Sequence, residues 1–132
     1  MSPTQTKDLP ASFRRIRLEL AREPAHPDGD ARIAYVLLAP LTADGRLDAD
    51  VAREFREHCV VVRLRPDQDK EEGYLRRRPG GSWAFHYDLP DGDEDDDPGY
   101  RLGDHRFVAD EYVTIQEDEG DHTYRVVSVM AP

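Results

Sequence analysis

Short segments whose apolar residues recur at every second position dominate the chain, and that rhythm confines it to sheet-based folds. From Phe13 to Arg22, Ile16, Leu18 and Leu20 fall on one side and Arg15, Arg17 and Glu19 on the other. Period two is the signature of a half-buried strand. Pro24, Pro27 and Asp28-Gly29-Asp30 then break the pattern as a turn cluster does. Ile33 to Ala39 is continuously apolar and bounded by turn residues, which predicts a strand apolar on both faces. Val60 to Arg65 is a β-branched segment stopped by Pro66. Tyr74 to Arg78 and Ser82 to Asp88 flank Pro79-Gly80-Gly81 and read as a hairpin. In its second arm Trp83, Phe85 and Tyr87 alternate with Ala84, His86 and Asp88, so the aromatic side is the expected core side. Tyr112 to Glu117 and Thr123 to Met130 flank a turn at 118–121 as a last hairpin.

One helix interrupts this series, at about 49–58, with Asp48 as its N-cap. Leu47, Val51, Ala52 and Phe55 make an apolar stripe of about two turns, enough to cover part of a sheet. The order β-β-α-β-β-β-β-β has no repeating βαβ unit. The predicted fold is therefore α+β and mainly antiparallel β: a strongly curved sheet or open β-barrel of about seven strands with one short covering helix. Residues 1–12 read as a flexible tail and 13–132 as a single globular domain, with an acidic loop at 89–104.

Charge narrows the partners. The chain of 132 residues carries a net −10, which repels phosphate backbones and anionic membrane surfaces. No apolar run approaches the ~18 residues of a transmembrane helix, and no signal-peptide core follows Met1. The single cysteine excludes an intrachain disulfide and a cysteine-based zinc site. These features predict an acidic cytoplasmic protein that engages neither nucleic acid nor membrane.

Several blocks are distinctive: 15–23 (Arg-Ile-Arg-Leu-Glu-Leu-Ala-Arg-Glu), His26-Pro27-Asp28-Gly29-Asp30, Ala39-Pro40-Leu41, Arg78-Pro79-Gly80-Gly81-Ser82, Gly103-Asp104-His105-Arg106-Phe107 and 124–129 (Tyr-Arg-Val-Val-Ser-Val). Together, over roughly 13–130, they make the chain resemble a family of small uncharacterised alphaproteobacterial proteins of unknown function. The resemblance implies a bacterial origin. It implies no activity, cofactor or site.

The candidate sites each carry two readings. His86 and Asp88 share a strand face and Asp104-His105 begins another segment, so a His/Asp metal site forms if the two are neighbours; otherwise they are surface groups at sheet edges. Arg76 and Arg78 share a face, as do Arg15 and Arg17 beside Arg14. Paired guanidinium forks suit an anion, or they neutralise the acids nearby. Six acids between Asp91 and Asp97 set much of the net charge. Asp91, Asp93 and Asp95 match the first calcium-loop positions, but the sixth position, which needs Gly, is Asp96. A solvated loop is the simpler reading. Cys59 follows His58 at a helix-to-strand junction with no helix N-terminus to activate it, so it reads as structural. Trp83, Phe85 and Tyr87 fit core packing better than base stacking in so acidic a chain. No Gly-rich phosphate loop, nucleophile elbow or His-Glu-x-x-His occurs. The expected function is that of a non-enzymatic binding or interaction module without a cofactor, its partner a second copy in a homodimer or another protein. The alternatives are a metal-binding protein or metal-dependent enzyme, and an arginine-based anion-binding regulator.

Overall fold

The structure is a computed structural model that describes residues 9–77, 83–88, 94–99, 105–117 and 120–132. Eight strands form one antiparallel sheet: β1 (Phe13–Leu20), β2 (Asp30–Pro40), β3 (Val60–Leu64), β4 (Glu71–Arg77), β5 (Trp83–Asp88), β6 (Glu94–Gly99), β7 (Tyr112–Glu117) and β8 (Gly120–Met130). Their order is β6-β5-β4-β3-β2-β1-β8-β7. Every chain neighbour is thus a sheet neighbour except β6 and β7, and β8 closes back onto β1. The sheet curls until β6 and β7 approach each other without a ladder between them. The result is an up-and-down, barrel-like meander with one open seam.

The register shows which residues face inward, because directly opposed residues share a face. Ile16, Leu37, Val61, Gly73 and Tyr87 form one continuous row across β1 to β5. All but Gly73 are among the buried hydrophobic residues. Gly73 is required there: a Cβ would lie 2.3 Å from the His86 carbonyl oxygen and 2.7 Å from the Tyr87 ring. Trp83, Phe85 and Tyr87 are buried together with Ile16, Leu18 and Leu20, and Val51 and Phe55 pack against them. The interior is therefore filled by side chains, as eight strands allow. The continuously apolar β2 keeps the same alternation, with Tyr35, Leu37 and Ala39 fully buried and Val36 and Leu38 half-buried on the outer side.

The helix is shorter than expected. α1 (Ala49–Glu54) is capped by the Asp48 side chain, which accepts from the Val51 N–H, and a 3-10 turn at Arg56–His58 carries the chain into β3. Phe55 meets Phe13 edge-on at 6.0 Å, so this connection packs at the end of the barrel where β1 begins. Cys59 is fully buried, and its Sγ points at the Ala52 and Phe55 carbonyl oxygens. Burial pushes its thiol up to about 11, which fits a structural and not a nucleophilic role.

Two segments read as irregular have structure. Within the acidic loop, Glu94–Gly99 pairs with β5 as an edge strand. Acids and a proline are tolerated at an edge, where one side of the strand makes no ladder and charge discourages further pairing. At the other end of the chain Leu9 packs against the core, and the Phe13 N–H donates to the Pro10 carbonyl.

Candidate functional site

At the end of the barrel where β1 finishes, the inward rows turn from apolar to charged. Val61 is followed at period two by Arg63 and Arg65, and Val113 and Ile115 by Glu117. Tyr35 and Tyr124, from β2 and β8, complete the layer. Arg65 Nη2 donates to Glu117 Oε1 at 2.5 Å, and the Tyr124 hydroxyl donates to Glu117 Oε2 at 2.6 Å. The same guanidinium nitrogen lies 3.4 Å from the Tyr35 and Tyr124 hydroxyls, and its plane sits over the Tyr35 ring. The Glu117 side chain is 2% exposed and that of Arg65 11%. Burial, with the neighbouring Tyr35 and Glu117, raises the Tyr124 pKa, so its phenol stays a donor. Arg63 opposes Tyr35 and Glu71 across the ladders and adds a second cation to the layer.

The β1–β2 connection folds over this end. Glu23 and His26 exchange backbone hydrogen bonds at 2.9–3.0 Å, and the Ala21 N–H donates to the Thr123 carbonyl. Gly29, at φ +72°, is needed because a Cβ would lie 2.5 Å from the Leu20 carbonyl oxygen. Glu23 then bridges two imidazoles: Oε2 is 3.0 Å from His26 Nδ1 and Oε1 is 2.8 Å from His122 Nδ1. Beneath this clasp lies a cavity of about 220 Å³, lined by Leu20, Ile33, Arg65, Glu117, His122 and Tyr124 among others.

The clasp has a pH signature. Hydrogen bonds from His122 and then His26 hold the Glu23 carboxyl below the usual carboxylate range. A carboxylate with a lowered native pKa stabilises the fold fully above its unfolded pKa, about 4.3 for Glu. That contribution is lost as pH falls through the native value. Glu23→Gln is therefore expected to lower the melting temperature at pH 5–7, and the difference from wild type should shrink as pH falls below about 4. A gap that stays constant to pH 2.5 in thermal melts would show that the carboxylate does not hold the clasp.

Those of the residues singled out by sequence that the structure describes lie elsewhere. His86 is on the outer side of β5, opposite Tyr74 and Asp96 in register. Asp88 closes β5, and His105 lies in the connection leading to β7. Asp104 and Arg78 lie outside the described residues, as does the stretch 100–104. Among the described residues no three His, Cys, Asp or Glu side chains form a metal-ligand set. Arg76 donates to the Arg56 carbonyl at 3.0 Å and stacks on the Tyr74 ring at 4.5 Å, so it ties β4 to the 3-10 turn. No helix among the described residues is long and apolar enough to cross a membrane. Comparison with family models, with curated proteins and with solved structures finds no match.

Proposed function

We propose that the protein is a non-enzymatic, cytoplasmic binding module that takes a small polar ligand at the charged end of its barrel. The observation that carries this reading is the buried Arg65–Glu117–Tyr124 network opening on a cavity rimmed by His26 and His122. A buried ion pair adds little stability over an apolar pair of the same volume, so stability alone gives no reason for one at the end of a filled core. A recess with apolar walls and a few fixed polar groups is the usual form of a small-ligand site. The groups themselves fit binding better than turnover. Both Glu117 oxygens are engaged within the protein, and the one thiol is buried at the other end.

Amide NMR titration with acetate, acetamide, methylguanidinium and glycerol tests the reading. One of these probes is expected to shift the Glu117 and Tyr124 resonances saturably, and the shift should vanish in a folded His26→Ala/His122→Ala variant. Absence of a saturable shift with all four probes, or one unchanged in the variant, would overturn it. A second reading, a homodimer or protein complex, is favoured by Val36, Leu38, Val60 and Val62, half-buried on the outer faces of β2 and β3. Sedimentation over a range of concentrations separates a dimer from a monomer.

A further inference from the structure

The opposite end of the barrel carries a larger recess, of about 710 Å³, between the start of β1, the turn after β2 and the segment leading into β7. Its apolar lining includes Leu41, Phe107, Val108 and Val129, and two arginines, Arg14 and Arg106, complete the wall. Phe107 is buried and Val108 is 40% exposed, so apolar surface runs from the core out to solvent.

Several arginines elsewhere in this acidic chain meet carboxylates: Arg17 meets Glu19, Arg32 meets Asp30, Arg53 meets Asp50 and Arg125 meets Asp110. Arg14 and Arg106 instead bond only to backbone oxygens. Arg14 Nη1 donates to the Ala11 and Phe13 carbonyls at 2.5 and 2.8 Å, and Arg106 Nε donates to the Asp44 carbonyl at 3.0 Å. These bonds hold the side chains in place and leave both charges uncompensated by any carboxylate among the described residues. The one acid in the lining, Asp44, is already engaged by the Thr42 hydroxyl and by Arg46 at 3.1 Å. Gly45, at φ +90°, brings this turn against Phe107, whose N–H donates to the Gly45 carbonyl at 2.7 Å.

Two anchored guanidinium groups beside an apolar wall match one kind of ligand, an anionic head joined to an apolar body. Guanidinium forks pair with carboxylates, and an apolar body gains by leaving water. The volume falls in the range of ordinary small-molecule sites. We propose that this recess binds a small amphipathic carboxylate, with Arg14 and Arg106 holding the carboxylate and Leu41, Phe107, Val108 and Val129 holding the chain. This site is separate from the charged end and does not depend on the reading given for it.

Isothermal titration with octanoate, below its aggregation concentration, tests the proposal. Saturable binding is expected, with at least tenfold weaker affinity for 1-octanol and for inorganic phosphate, each of which offers half of the required chemistry. Arg106→Gln should weaken octanoate by several-fold and Arg14→Gln/Arg106→Gln by tenfold or more. Affinity should also fall as salt is raised, since the attraction is electrostatic at a partly open site. Arg14 helps fix the start of β1, so the single Arg106→Gln variant keeps the test interpretable if the double variant melts early. Amide shifts at Phe107 and Val108, not at Glu117 or Tyr124, assign binding to this end. The proposal falls if octanol binds as well as octanoate, if a folded Arg106→Gln variant binds unchanged, or if octanoate shows no saturable binding.

Discussion

Arg65→Met is expected to destabilise the fold by about 3–5 kcal/mol, because it strands a buried carboxylate. Glu117 is 2% exposed at its side chain and depends on Arg65 for its only cation within hydrogen-bond reach among the described residues. Tyr124 alone does not replace a charge. The compensated variant Arg65→Met/Glu117→Met/Tyr124→Phe removes all three polar partners together, and its stability should return to within about 1–2 kcal/mol of wild type. Urea denaturation at pH 7 measures both. Equal losses in the single and triple variants would mean that the cost arises from packing and not from an uncompensated charge.

Phe85→Ala should cost a similar amount, about 3–5 kcal/mol, by a different route. Phe85 is fully buried, faces Leu75 across the ladder and lies 5.0 Å from the Tyr35 ring. Its removal opens a cavity in a filled barrel whose neighbouring strands cannot collapse independently. That loss is a large share of the ~5–15 kcal/mol available to a small domain. An unchanged denaturation midpoint would contradict the inward register of β5. Phe85→Leu, which keeps most of the volume, should lose much less.

The two variants probe parts of the molecule that differed in legibility. The Phe85 row could be read from residue order, because Trp83, Phe85 and Tyr87 alternate with smaller or polar residues and apolar burial is the strongest term in folding. The charged layer is not legible in residue order, for a specific reason. Arg63, Arg65 and Glu117 extend inward rows whose earlier members are Val61, Val113 and Ile115, yet arginine and glutamate at strand ends ordinarily face water. The signal was the continued period with opposite charges on two strands. It acquires meaning only once β3 and β7 are known to converge on Tyr124. Nor does any local pattern bring Glu23 to His122, which lies 99 residues away.

The acidic stretch shows the opposite limit. Its composition argued for a loop, since isolated Asp-rich segments gain nothing by ordering. Glu94–Gly99 nevertheless completes a ladder, because β5 offers a row of backbone partners that no local propensity describes. Local order along the chain was enough for the curved antiparallel sheet, its aromatic core face, the single capped helix and the structural cysteine. Each of these follows from short-range periodicity or from one residue's own chemistry. The return of β8 onto β1, the uncompensated arginines at one end and the buried ion pair at the other came from the closure of the sheet. Closure sets which strand ends meet, and that is a property of pairing between distant segments.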